Sequence, residues 1–318
     1  MTRSTFAPID AHAHVFPAVR GHVQAGPTRG LGHGRMARGP ETVQLTPDLG
    51  EETAFSPAWL LAGMTAAGVE RAVLLQGPLY GECNDFAVQA VRAYPGRLAA
   101  QAYLDPWVAG WEERLEAILQ EEAFRGVKIE FSVPAGLGGL HPGARLDEAH
   151  LEPLWGALER GGRVLTLDLG AVGTATYQTD AVRRLAAGHP GLSVVICHLG
   201  QPGPAVLAEA ARRREWVAQV RLGQLASVYF DTATLPVFFR DQGDPFPGCR
   251  EVLRRAVDLV GPEKVLWGTD APGALTLCPY ERYAELARLH TDFLPPAQQE
   301  QILSANARRV YFAPHASR

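Results

Sequence analysis

The chain has 318 residues, 47% hydrophobic and 20% charged, with a formal net charge of −4. That is an ordinary globular composition, and its slight acidity argues against nucleic acid or an anionic membrane as partner, since both call for a basic face. No apolar run approaches the roughly 20 residues of a membrane helix, and the N-terminal MTRSTFAPID carries no apolar signal core, so the cytosol is the expected compartment.

In chain order, β-rich runs fall at 9–15, 71–77, 98–105, 126–131, 163–170, 193–200, 227–233 and 264–270. Helix-patterned segments lie between them at 56–68, 84–96, 147–162, 180–191, 204–220, 250–261 and 279–290, with a terminal helix at 295–312. Ser56 and Pro57 make a good N-cap and first-turn pair, Gly68 a good stop, and Asn84 reads as an N-cap. Strands that alternate with helices pair in parallel, and eight of them close into a (β/α)8 TIM barrel of the α/β class. An open doubly wound sheet is the rival, but no Gly-rich dinucleotide loop follows the first strand. The whole of 1–318 is therefore expected to be a single barrel domain. Cys83, Cys197, Cys249 and Cys278 form no C-x-x-C pair and read as reduced thiols.

The segment 15–55 breaks the rhythm. It has little periodicity, is rich in Gly and Pro, and carries Arg20, Arg29, Arg35, Arg38, His22 and His33. A loop this long rising from the first strand would lie over the carboxyl rim of a barrel, where barrel enzymes do chemistry. It reads as an active-site loop, with a solvated insert as the plain alternative.

Several strands end in polar residues that are costly to bury without a purpose. In "PIDAHAHVFP", Asp10, His12 and His14 alternate, which puts two imidazoles on one strand face with a carboxylate in step. Asp168, His198 and Asp270 close three later strands. By strand parity, an inward His198 turns Val195 and Cys197 outward. An H-x-H pair can share one cation, although alone it is a weak signal. Lys128 and Glu130 share a face, as an interior ion pair or as a contact for a substrate carboxylate. Asp231 ends the seventh strand and is open to either reading. Tyr80 and Tyr103, near the ends of the second and third strands, are placed to line a pocket. His141, His150, His189, His290 and His315 read as structural.

In combination and order, "IDAHAHVFP", "GVKIEF", "VVICHLG", "VLWGTDAP" and "ILSANARRVYF" resemble the signatures of the amidohydrolase-related family. This is a branch of the metal-dependent hydrolase superfamily that includes pyrone-dicarboxylate lactonases and decarboxylases of aromatic or muconate-type acids. The resemblance spans about residues 8–312. It implies that His12 and His14 are metal ligands, that Asp270 binds metal and relays a proton, and that His198 faces the metal-bound water or the substrate. Relatives commonly place a histidine ligand on the fifth strand. Here Asp168 stands in its place, as a fourth ligand or as the mark of a site that holds metal weakly.

The implied cofactor is a divalent metal, zinc or manganese. The implied function is hydrolysis of a C–O or C–N bond in a small anionic substrate by metal-activated water, with His198 on the carbonyl oxygen. Lys128, Arg20, Arg35, Tyr80, Tyr103 and Asp231 are the candidate substrate contacts. Nonoxidative decarboxylation on the same residues is the alternative, and a metal-free lactonase or a noncatalytic binder comes after it. A homodimer is expected from the resemblance.

Overall fold

The computed structural model describes residues 6–313. Its strands are β1 (Ile9–Ala13), β2 (His22–Val23), β3 (Gly26–Gly32), β4 (Arg35–Arg38), β5 (Glu41–Gln44), β6 (Arg71–Leu74), β7 (Leu98–Tyr103), β8 (Phe124–Glu130), β9 (Val164–Asp168), β10 (Ser193–Ile196), β11 (Val228–Asp231) and β12 (Val265–Leu266). The eight runs read from the sequence are β1 and β6 to β12. They pair in parallel in the order β1-β6-β7-β8-β9-β10-β11-β12. The last meets the first through Ala11 N–H on Trp267 O at 2.9 Å and Asp270 N–H on His12 O at 2.7 Å. The architecture is a (β/α)8 barrel. β8 and β9 approach so closely that a Cβ at Gly126 would lie 1.8 Å from Val164 O, so only glycine fits there.

The helices are α1 (Pro57–Ala67), α2 (Asn84–Ala93), α3 (Trp111–Gln120), α4 (Leu137–Leu140), α5 (Glu152–Arg160), α6 (Thr179–Gly188), α7 (Pro204–Ala208), α8 (Ala210–Val220), α9 (Leu235–Phe238), α10 (Pro247–Val260), α11 (Tyr280–His290), α12 (Pro296–Glu300) and α13 (Asn306–Tyr311). α1 has the expected caps: Ser56 Oγ accepts from Trp59 N at 3.3 Å, and Gly68 stops the helix at φ 70°. Asn84 is not a cap. Its side chain clamps β7 instead, donating to Tyr103 O at 2.9 Å and accepting from Tyr103 N at 2.8 Å. α3 fills the one crossover for which no helix was read. Its signal is present, since Trp111, Leu115 and Ile118 bury a stripe at helical spacing. The predicted helix 204–220 breaks at Glu209, which is extended.

Two features place the site. Ile9, Ala11, Val73, Leu75, Val164, Val195 and Leu266 pack with Tyr311 of α13, whose hydroxyl meets Thr166 Oγ1 at 3.0 Å. That apolar plug confines polar chemistry to the other end of the barrel. The segment 15–55 is also more ordered than its composition suggests. β2, β3, β4 and β5 form a separate antiparallel sheet, pinned to the loop after β6 by Arg20 N–H on Tyr80 O, His22 N–H on Pro78 O and Thr28 Oγ1 on Leu79 O. No helix among the described residues is long and apolar enough to cross a membrane.

Candidate functional site

At the carboxyl ends of the strands, a cavity of about 150 Å³ is lined by His12, His14, Gly77, Leu79, Tyr80, Lys128, Glu130, Ser132, Ala135, Asp168, His198 and Asp270. These side chains come from β1, β8, β9 and the turns after β6, β10 and β12, so residues up to 258 positions apart share one wall.

β1 does not deliver them by simple alternation. Its register shifts between Asp10 and Ala13. Asp10 therefore leaves the face of the two histidines and takes hydrogen bonds from Thr269 N at 2.9 Å, Thr269 Oγ1 at 2.6 Å and the Tyr280 hydroxyl of α11 at 2.7 Å. It ties β1 to the outer layer. Burial raises its pKa to about 6 against those bonds.

Strand parity also fails at β10. Val195 packs in the barrel interior, and Cys197 lies beside His12 and Asp231. His198 still reaches the cavity because the chain leaves the strand in a left-handed turn, with φ 60° at His198, 53° at Leu199 and 55° at Gln201. Asp270 has φ 67° and Thr234 φ 62°. Non-glycine residues held there cost about 1–3 kcal/mol each, and such strain gathers at functional sites.

The hydrogen bonds fix the tautomers. His12 Nδ1 faces Asp231 Oδ2 at 3.0 Å, so it carries the proton and Nε2 is left as an acceptor. Nε2 is buried without a hydrogen-bond partner, 3.5 Å from Asp270 Oδ1. Burial lowers the His12 pKa to about 4 despite Asp231, so the ring is neutral. His14 Nδ1 donates to Leu75 O at 2.8 Å, which turns Nε2 toward Asp270 Oδ1 at 2.9 Å. In the neutral ring that sets a lone pair against a carboxylate, a contact that a cation would reconcile.

His12, His14 and Asp270 offer ligand atoms that all lie within 4.8 Å of one another. Two imidazoles and a carboxylate suit zinc or manganese. The charges fit as well. Burial would raise the pKa values of Asp168 and Asp231, but the His198 charge and the hydrogen bonds from His198 and His12 outweigh it and hold both below the usual carboxylate range. With Asp270, three carboxylates against one imidazolium, His198, leave a charge of −2, which one divalent ion would neutralise. A second cluster, His12, Cys197 and Asp231, has less to offer a metal. His12 and Asp231 already bond each other, and burial pushes the Cys197 thiol well above its ordinary pKa.

Asp168 is not in the three-ligand set. Its Oδ2 pairs with His198 Nε2 at 3.1 Å, and its Oδ1 accepts from Gln201 Nε2 at 3.1 Å and Gly170 N at 2.9 Å. His198 Nδ1 meets a second acceptor, Ala233 O, at 3.1 Å, so both ring nitrogens donate. Burial alone would lower the His198 pKa, but the Asp168 charge and hydrogen bond lift it to about 10. Lys128 Nζ pairs with Glu130 Oε2 at 3.0 Å, and Glu130 Oε1 takes the Ser132 hydroxyl at 2.5 Å.

The other candidates scatter. Tyr80 lines the cavity. Asp231 sits behind His12 as its orienting partner and also accepts His198 N–H at 2.9 Å, so it is not a lining residue. Tyr103 borders a different groove, between α2 and α3. Arg20 lies on a surface cleft with Arg29, Glu51 and Glu52, and Arg35 is exposed on β4, so neither reaches the cavity. Arg20 precedes the insert's sheet and Arg35 lies on it, and both side chains are exposed. Away from the cavity, His141 pairs with Asp105, His150 with Glu148, His189 with Glu152 and Glu159, and His290 with Pro245 O, while His315 lies outside the described residues. Sequence reasoning missed Thr234, whose hydroxyl donates to Asp270 Oδ2, and Gln201. Neither carries a sequence signal, because a left-handed turn in each case brings it there.

A family model described as amidohydrolase matches residues 9–313. No curated protein matches the sequence significantly. Among solved structures, an amidohydrolase from Burkholderia multivorans, crystallised with HEPES bound and in a second form with zinc, superposes with a TM-score of 0.72 at 20% identity, covering 97% of this chain and 100% of that one. A probable 2-pyrone-4,6-dicarboxylic acid hydrolase from Acinetobacter baumannii, with citric acid bound, gives 0.68 at 18% identity over 97% and 100% of the two chains. The 5-carboxyvanillate decarboxylase of Sphingomonas paucimobilis gives 0.56 at 17% identity over 80% and 82%. At these identities the likeness is one of fold.

Proposed function

The chain belongs to the amidohydrolase family, and from that premise we propose that it hydrolyses a C–O or C–N bond of a small carbonyl compound, a lactone before an amide. The observation that carries this reading is the convergence of His12 Nε2, buried and without a partner, with His14 Nε2 and Asp270 Oδ1. His12, His14 and Asp270 would hold a divalent cation, zinc or manganese. When bound, such an ion polarises a carbonyl and acidifies water.

The chain's own groups supply the rest. Asp270 has one oxygen held by Thr234 and the other turned to the histidines, so it receives the proton of an attacking water at Oδ1 and returns it to the leaving group. Asp231 holds His12 in the tautomer that faces the cavity. His198, with both N–H groups engaged, acts as a fixed positive charge in the wall. The cavity's size admits one small ring. A substrate carboxylate has one lysine to meet there, Lys128, and no arginine among the lining residues, which favours the lactone over a dicarboxylate or aromatic acid. The zinc in the Burkholderia structure supports the cation, and the Acinetobacter protein's name, a pyrone-dicarboxylic acid hydrolase, supports hydrolysis.

The test is a comparison of metal-stripped and zinc- or manganese-reloaded protein on small lactones, amides and aromatic acids. Proton release from a lactone that returns with the metal is the expected result. Carbon dioxide release from an aromatic acid would assign a decarboxylase instead. Hydrolysis that survives complete metal removal would refute the cation's role.

A further inference from the structure

Resting on the hydrolytic reading, we propose that the Tyr80 hydroxyl is the hydrogen-bond donor to the oxygen of the substrate carbonyl as negative charge develops on it. The sequence resemblance gives that role to His198, but the hydrogen bonds remove His198 from it. Its Nδ1 donates to Ala233 O at 3.1 Å and its Nε2 to Asp168 Oδ2 at 3.1 Å, so it has no N–H left to offer.

Most other side-chain donors around the cavity have protein partners too. His12 and His14 use Nδ1 on Asp231 and Leu75 O. The Ser132 hydroxyl is held by Glu130, and Lys128 spends one of its three N–H groups on the same carboxylate, which anchors its ammonium there. Among the described residues the Tyr80 hydroxyl has no hydrogen-bond partner, although the residue is only 7% exposed and lines the cavity. Its ring is held rigidly, stacked on Phe16 at 4.2 Å with 10° between planes and 5.3 Å from the His14 ring. Its carbonyl accepts Arg20 N–H at 3.0 Å, which locks the loop to the insert. Packing alone would be served as well by phenylalanine. A hydroxyl with no protein partner on the wall of a cavity is open to a hydrogen bond with a bound molecule.

In the step this serves, water adds to the carbonyl carbon and gives its proton to Asp270. The carbonyl π pair moves to oxygen, which accepts the Tyr80 hydrogen bond without taking its proton. Collapse breaks the ring C–O bond, and the alkoxide recovers the proton from Asp270, giving the hydroxy acid.

The test uses zinc-loaded wild type and Tyr80→Phe on δ-valerolactone, γ-butyrolactone and dihydrocoumarin, with calorimetric binding of methylphosphonate as a tetrahedral-anion probe. The expected result is a loss in kcat of about 100-fold with KM changed less than about threefold, and methylphosphonate bound at least tenfold more weakly. The urea midpoint and zinc affinity should be unchanged. If wild type opens none of the lactones, the hydrolytic reading fails and this inference with it. If wild type opens a lactone and Tyr80→Phe does so with unchanged kcat, or binds methylphosphonate equally well, the role of Tyr80 alone is refuted.

Discussion

Asp168→Asn tests whether His198 is held as an imidazolium. The Asn side chain can still accept Gly170 N–H, and its amide can donate to the lone pair of a neutral His198, so the variant should fold. In wild type the His198 pKa rises from 6.5 to about 10: burial opposes the charge and Asp168, with lesser help from Asp270 and Asp231, wins. A group whose folded pKa lies above its unfolded value lends stability that is complete below the unfolded pKa and drains away as pH climbs to the folded one. For His198 that window runs from about pH 6.5 to about pH 10. Each pH unit within it is worth about 1.4 kcal/mol, so the ceiling is on the order of 5 kcal/mol. The same attraction depresses the Asp168 pKa and is counted once. The assay is urea unfolding of metal-stripped protein at several pH values between 6.5 and 9.5. Wild type should lose up to about 4 kcal/mol across that range from this group, and Asp168→Asn less than about 1 kcal/mol. Parallel profiles, or a His198 imidazole that titrates near 6.5 by NMR in wild type, would refute the reasoning.

Asp231→Asn weakens the acceptor behind His12 and should cut zinc affinity about 10–100-fold in a chelator competition, with the fold intact by circular dichroism. Lys128→Met leaves Glu130 buried without its partner and should cost about 3–5 kcal/mol in urea unfolding. Adding Glu130→Gln should recover most of that loss, and no recovery would show that the pair is not coupled. Arg20→Ala and Arg35→Ala remove exposed side chains that do not line the cavity, so each should stay within about 0.5 kcal/mol of wild type. Their kcat/KM on any substrate found should shift less than about threefold, and a tenfold rise in KM for either would bring the insert back into the site.

Much of the fold was legible because it rests on local patterns. Period-two apolar runs, the Ser56–Pro57 start and the Gly68 stop of α1 are properties of a few neighbouring residues. The alternation of strand and helix then leaves few topologies. The misses have local causes as well. The stripe of α3 is legible at helical spacing, whereas the small sheet within 15–55 is made of short strands without an apolar period. Asn84 looked like a cap because a cap and a clamp use the same side chain.

By itself the sequence determined the order and type of the barrel elements and the rim positions of His12, His14, His198 and Asp270, since a strand's end is set by where its pattern stops. Only the tertiary structure decided which way those side chains turn and which partners they meet. The bulge that takes Asp10 outward, the left-handed turns at His198, Thr234 and Asp270, and the pairing of Asp168 with His198 all depend on chain segments far apart in sequence. A backbone conformation paid for by distant contacts leaves no local pattern to read.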